Sequence, residues 1–300
     1  MTRPTTPPPM EFFAAARPRG GNARFALALG GLRIDIEGLD DDLCSGIAVR
    51  FKAFAASPDV PTAMTVEVRR ENREYFIDPP RDTEIHPVLL DCDGHRVRFL
   101  SYQAAGWFDL AEGKGQLVIS RGRYEPPAAA VENYVRVAVG WASASCGGAL
   151  VHAASAVLDG KGYLFYGESG AGKSTLSAVN RRARVLSDDL SLVLPRQGGG
   201  IDLVGTPFRG TFGGGPAVVG AFPLAAGFRI VKSDRAEVRE VPRSIALAEL
   251  VGNLPFVAEF FAKRPDLFER VERTFASVPL AHLHFRKDDT YWDAITGAGL

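Results

Sequence analysis

Cysteine is scarce in this 300-residue chain: Cys44, Cys92 and Cys146 are far apart and show neither CxxC spacing nor a paired framework. That excludes a disulfide scaffold, argues against a zinc site and suits a reducing compartment, so the cytoplasm is the expectation. An excess of one charge is also missing, since thirty-five basic residues balance thirty-five acidic ones. No global field therefore draws the chain to nucleic acid or to an anionic membrane, and a partner has to be recognised locally. No run of about eighteen apolar residues occurs, which excludes a spanning helix. The opening stretch MTRPTTPPPMEFF is proline-rich and lacks the apolar centre of a signal peptide. Internal repeats are absent as well, and the glycine-rich stretch GTFGGGPAVVG (210–220) reads as a mobile loop.

What is present is 46% hydrophobic sequence, enough for two modest domains with proper cores. The chain divides by pattern into a disordered leader (1–20), a β-rich N-terminal domain (21–126) and a second domain (127–300). In the first domain Phe25, Leu27 and Leu29 alternate, Gly30-Gly31 turns the chain, and Leu32, Ile34 and Ile36 alternate back as a hairpin. Period-two runs follow at 64–68, 97–99 and 117–119, with one helix near 40–55 whose N-terminus is Asp40-Asp41-Asp42. After Pro126-Pro127, residues 128–145 have helical spacing. Then come two strands around Asp159-Gly160, a glycine-rich loop, the helix GKSTLSAVNRR and the strand RVLS (184–187). Strands are expected at 190–195, 201–205, 225–233 and 280–285, and helices at 243–252, 255–263 and 265–276, with a last turn near TYWDAI.

Gly167-Glu168-Ser169-Gly170-Ala171-Gly172-Lys173-Ser174-Thr175 matches the P-loop pattern. In that pattern backbone N–H groups wrap the phosphates of a nucleoside triphosphate, the lysine reaches the β and γ phosphates, and the hydroxyl of Ser174 holds magnesium. Glycines permit close approach of the backbone to the anion, and the helix that follows presents unpaired N–H groups. Ser187-Asp188-Asp189 ends the strand after that helix. Paired carboxylates beside a triphosphate can do two jobs, one binding magnesium and the other accepting a proton from an attacking hydroxyl. Asp288-Asp289 before Thr290 is a plain helix start, and His282 and His284, with no third ligand at metal spacing, read as structural. His152, taken alone, is a histidine satisfied within a strand pair.

The order strand, P-loop, short helix and Asp-Asp resembles the catalytic domain of HPr kinase/phosphorylases and, more remotely, the ATP-dependent phosphoenolpyruvate carboxykinases. The string from HAASAVLDGKGYLFYGESGAGKSTL through VLSDDLSLV to GTPF looks most like HPr-kinase-related proteins of bacteria, some of which phosphorylate peptides. The resemblance covers roughly 148–205. It implies an α/β fold: a P-loop catalytic domain with a mixed sheet, preceded by a smaller β-rich α+β domain. It also implies an active-site role for His152, which stands where the family has a Leu-His-x-Ser pattern. Lys173 matches the catalytic lysine, Ser174 the magnesium ligand and the Asp188-Asp189 pair the base and the metal-linked carboxylate; Asp188 is taken as the base and Asp189 as the metal ligand. Since HPr kinases are hexamers, self-assembly is a further implication.

The chain departs from the family after the Asp pair. Where the family has Glu-x-Arg-Gly-x-Gly, this sequence has Gly205-Thr-Pro-Phe-Arg209-Gly210-Thr211, with Arg-Gly but no glutamate, which puts the reverse, phosphorolytic reaction in doubt. The family's late arginine has no motif to anchor it; Arg209, Arg229, Lys232 and Arg243 are all candidates to neutralise transition-state charge. The expectation is a kinase that uses ATP and Mg2+ to phosphorylate a hydroxyl, serine or threonine of a small protein or peptide, with no nucleic-acid or membrane partner. A small-molecule hydroxyl kinase and a nucleotide-responsive binding module or slow hydrolase are the two alternatives.

Overall fold

Alternating apolar residues make the first hairpin. β1 (Ala23–Leu29) and β2 (Leu32–Leu39) pair antiparallel around Gly30-Gly31, with Leu27, Leu29, Ile34 and Ile36 buried. The helix α2 (Asp41–Phe51) follows, capped by the Asp40 carboxylate, which accepts the Leu43 N–H at 2.7 Å. Its buried face is Leu43, Ile47 and Phe51 at helical spacing. It carries the chain over to β3 (Thr62–Arg70), which is parallel to β2. β4 (Leu89–Asp93), β5 (Arg96–Leu100), β6 (Ala104–Asp109) and β7 (Lys114–Ile119) run as an antiparallel meander, and β7 then returns parallel to β3. The result is a mixed sheet in the order β1-β2-β3-β7-β6-β5-β4.

The computed structural model describes residues 6–80, 87–208, 210 and 217–300. The architecture is α/β with two mixed sheets, and the chain divides into two compact units, Met1–Ala138 and Val139–Leu300. The division falls within α3 (Pro127–Ser145), which begins at the proline pair, where the missing N–H of a proline costs a helix nothing. No helix among the described residues is long and apolar enough to cross a membrane.

In the second unit β8 (Ala149–Leu158) and β9 (Lys161–Tyr166) form a hairpin, then α4 (Lys173–Val179) leads to β10 (Arg184–Ser187) and β11 (Leu190–Pro195). β12 (Ile201–Val204), β13 (Ala221–Lys232), β14 (Glu237–Arg239) and α5 (Arg243–Val251) follow, then α6 (Pro265–Phe275), β15 (Leu280–Phe285) and α7 (Tyr291–Gly297). β13 is parallel to both β9 and β15, whereas β8, β11 and β12 pair antiparallel with their neighbours. The pairings β8–β9–β13–β12–β11–β8 close into a ring, so the middle of the sheet has no free edge.

Three expectations need correction. The leader assigned to disorder is structured from α1 (Met10–Ala14) onward: Phe13 is buried beside Phe76 and Tyr102, Phe12 meets Phe76 edge-on at 5.9 Å, and Arg17 pairs with Glu71 at 2.8 Å. Two adjacent phenylalanines supply apolar area that a proline-rich composition hides. The helix expected at 255–263 is only a single turn, Ala258–Phe260, because Phe256 has φ 70 and turns its carbonyl to the Trp141 indole N–H at 2.9 Å. The helix after the loop stops at Val179, because the Asn180 side chain accepts the Ala183 N–H at 3.0 Å and donates to the Ala183 carbonyl at 2.7 Å. This local ring competes with helical hydrogen bonds. The glycine-rich stretch expected to be a mobile loop lies largely outside the described residues, at 211–216.

An aromatic cluster holds β9 in place. Phe165 stacks on Phe228 of β13 at 5.8 Å and meets Tyr291 and Trp292 of α7 edge-on at 5.9 and 5.8 Å, while the Trp292 indole donates to Asn180 at 3.0 Å. All four rings are buried. Phe165→Ala should lower unfolding free energy by about 3–5 kcal/mol, measured by urea denaturation; a loss under about 1 kcal/mol would contradict this packing.

Candidate functional site

β8 changes partner along its length. From Ser155 to Val157 it pairs with β10, and from Ala149 to His152 with β11. The residues between those two neighbours, Asp188 and Asp189, belong to neither strand. On its other side β8 pairs with β9 only as far as Ala153, opposite Tyr166. Ala153 is thus the junction: its N–H goes to the Asp189 carbonyl at 3.0 Å, while its partner Tyr166 is the last residue before the glycine-rich loop. The sheet topology itself brings the Asp pair, His152 and the loop together.

The loop leaves the ladder at Gly167. Gly167, Gly170 and Gly172 have φ of 151, 78 and 113, where a Cβ is strained. Glu168, Ser169 and Gly170 form an exposed crown, Ala171 is half-buried with its N–H on the Glu168 carbonyl at 3.0 Å, and Ser174 and Thr175 lie in the first turn of α4. Lys173 is 7% exposed, and its Nζ donates to the carbonyls of Gly167 at 2.6 Å and Glu168 at 3.2 Å. Burial lowers its pKa, and the charge of Asp189 acts in the opposite direction.

Asp189 also lies 4.0 Å from His152, Oδ1 to Nδ1. Asp188 is more enclosed, at 4% exposure, and accepts the Gly210 N–H at 2.8 Å. A side chain at position 210 would put its Cβ 2.9 Å from the other Asp188 oxygen, so anything larger than glycine would displace that carboxylate. The Ser187 hydroxyl donates to the Phe208 carbonyl at 2.8 Å, so residues on both sides of 209 touch the acidic turn. Arg209 itself lies outside the described residues.

The other candidate cations separate clearly. Arg243 donates to the carbonyls of Val278 and Phe275, which ties it to the end of α6. Lys232 is exposed at the end of β13. Arg229 is opposite Tyr166 in the β13–β9 ladder, 3.3 Å from Glu249 and 3.9 Å from the Glu168 carboxylate of the loop. His282, expected to be structural, is bound to Glu249 at 2.7 Å. Among the described residues no three His, Cys, Asp or Glu side chains form a metal-binding group.

Asn253 was not legible as a site residue. Once β9 turns away, the N–H groups of His152 and Gly167 lose their strand partners. Asn253 takes both: its carbonyl accepts from His152 at 2.8 Å and its Oδ1 from Gly167 at 3.2 Å, while its Nδ2 donates to the Glu249 carbonyl at 2.8 Å. In the sequence Gly252-Asn253 signals only the end of a helix.

Asn253→Ala should cost about 1–3 kcal/mol of stability by orphaning Gly167 and should speed amide exchange at Gly167; unchanged exchange would refute the tether. Because burial depresses the Lys173 pKa, the folded chain holds that proton less tightly than the unfolded one. The corresponding stability is complete above the unfolded value, 10.5, and is lost as pH falls through the lowered folded value. The stability difference between the parent and Lys173→Met should therefore shift in the parent's favour as pH rises toward 10.5, read from denaturation curves at a series of alkaline pH values. No protein-family model matches this chain, and no curated protein matches it.

Proposed function

We propose that the second unit is a P-loop catalytic domain like that of the HPr kinases, and that the protein is a magnesium- and ATP-dependent kinase for a hydroxyl, serine or threonine of a protein or peptide. One observation carries the reading: the buried Lys173 of a glycine-rich strand-to-helix loop bridges the Gly167 and Glu168 carbonyls, while the Asp189 carbonyl accepts from Ala153, the residue paired with Tyr166 just before that loop, and the Asp189 carboxylate lies 4.0 Å from His152. A lysine that already bridges the inside of its loop is placed to meet phosphate oxygens in exchange for carbonyls.

The donor set fits the ligands. The Ser174 hydroxyl and the Asp189 carboxylate are hard oxygen donors of the kind magnesium takes, together with phosphate oxygens and water. When bound, magnesium neutralises charge on the transferred phosphoryl group. Residues Gly167 to Thr175 hold the nucleotide through their N–H groups and the Lys173 ammonium. Asp188 is the proton acceptor, its carboxylate fixed in place by the Gly210 N–H. The acceptor oxygen forms a bond to the γ-phosphorus, the bond from that phosphorus to the bridging oxygen of ADP breaks, and the acceptor proton passes to Asp188. His152 orients Asp189 at the junction strand. Arg229, held by Glu249 beside the loop, is the described cation best placed to offset charge on the phosphates.

The test is transfer from γ-labelled ATP to separate pools of peptides and of metabolites. Label should appear on serine or threonine of a peptide. Asp188→Asn should reduce transfer by about 10²–10⁴-fold while nucleotide binding persists, and Lys173→Ala should weaken binding and abolish transfer. Label on metabolites alone would replace the peptide with a small-molecule acceptor. The segment 205–211 has no glutamate, which favours a binding module or slow hydrolase as the second reading. Nucleotide turnover by the parent without any labelled acceptor would establish that reading in place of the kinase.

A further inference from the structure

Arg229 stands in a row of side chains held by one helix. In the β13–β9 and β13–β15 ladders Arg229 is opposite Tyr166 on one side and His282 on the other, so the three lie side by side on one face of the sheet. Tyr166 is the last residue before the glycine-rich loop. α5 takes a contact from each member of the row. The Tyr166 hydroxyl donates to the Ala246 carbonyl at 3.4 Å, and three residues later the Glu249 carboxylate receives the other two. Its Oε1 lies 3.3 Å from Arg229 Nε, and its Oε2 lies 2.7 Å from His282 Nε2. A carboxylate can only accept, so the ring carries its hydrogen on Nε2.

The same residue also sets the start of the loop. The Glu249 carbonyl accepts from Asn253 Nδ2 at 2.8 Å, and Asn253 Oδ1 accepts the Gly167 N–H at 3.2 Å. The backbone of Glu249 therefore holds the loop while its side chain holds the arginine, which fixes the two relative to each other from one point on α5. The Arg229 guanidinium is divided between them. Its Nε faces Glu249, whereas Nη2 faces the loop, where the Glu168 carboxylate lies 3.9 Å away, beyond hydrogen-bond distance. The Arg229 side chain is 31% exposed and that of Glu168 89%, so the Nη end is open to an anion arriving at the loop.

We infer that Glu249 is a positioning residue for Arg229, and that His282 acts one step behind it by holding the Glu249 carboxylate in place. The inference rests on the proposed reading of the loop as a nucleotide site and adds two residues to it. Arginine meets phosphate oxygens through a planar fork, so its orientation counts as well as its charge. A long side chain at a partly open position has many rotamers, and holding Nε before the ligand arrives removes most of that freedom in advance. A lone ion pair at this exposure would contribute little, because both side chains could swing apart. Tying the second carboxylate oxygen to His282 restrains one of the two partners, and the carbonyl of the same residue keeps the loop in register with it.

The experiment is a set of variants of the full chain, read by turnover of γ-labelled ATP with magnesium, whether the phosphate passes to an acceptor or to water, and by nucleotide affinity. Arg229→Ala should lower kcat by about 10²-fold. Glu249→Ala should lower kcat by about tenfold while the nucleotide Kd stays within about threefold of the parent's. The double variant Glu249→Ala, Arg229→Ala should be no slower than Arg229→Ala alone, because the carboxylate acts through the arginine. His282→Ala should lower kcat by about threefold, with no further loss when added to Glu249→Ala. Amide exchange at Gly167 should be unchanged in Glu249→Ala, since the Glu249 carbonyl is still there to hold Asn253, which separates lost orientation of Arg229 from a loosened loop. Parental kcat in Glu249→Ala, additive losses in the double variant or faster exchange at Gly167 overturns the inference alone. A parent that turns over no nucleotide overturns the proposed function and the inference together.

Discussion

A strand with more hydrogen-bonding positions than its neighbours can serve is the constraint on which the second unit depends. β8 is ten residues long, β10 covers three of its positions and β11 four, and the two neighbours can follow one another only across a break in regular pairing. The break is Asp188-Asp189. On the other side β9 ends one position before His152. Every backbone group left over at this level needs a partner, and the partners found are the Asp189 carbonyl and Asn253. The concentration of polar side chains at the junction follows from that accounting, since strands diverge there and leave room.

Electrostatics at the junction works against folding in one respect and is compensated in another. Enclosing Lys173 removes an ammonium from water, and burial accordingly depresses its pKa. Two carbonyls of its own loop and the nearby Asp189 offset part of that cost. The loop therefore keeps a cation in a partly desolvated position, where its field is stronger than it would be at an open surface. The aromatic stack of Phe165, Phe228, Tyr291 and Trp292 supplies the rigidity behind it, fixing the end of β9 from which the loop springs.

Much of this was written in local pattern. Period-two alternation placed the first hairpin and the strands at 64–68, 97–99 and 117–119, and helical spacing placed α2, α3 and α6, because each needs only its own apolar face to be recognised. Parallel pairing was not legible: β2 with β3, β3 with β7, and β13 with β9 and β15 are contacts between distant segments that leave no periodic mark. Helix ends were misread where a side chain captured the backbone, as Asn180 does, or where one residue took positive φ, as Phe256 does. The phenylalanines of α1 were overlooked because the prolines before them dominated the composition.

By itself the sequence determined the glycine-rich loop with its lysine, the Asp pair one short helix later and the strands on either side, since these follow from residue type and spacing alone. Only the tertiary structure decided which of them meet. It brought His152 within 4.0 Å of Asp189, tied Arg243 to α6 while leaving Arg229 beside the loop, and gave Asn253 a place at the junction. The physical reason is that spacing along a chain governs local hydrogen bonding, whereas the meeting of remote side chains depends on strand order and register, which only the whole sheet sets.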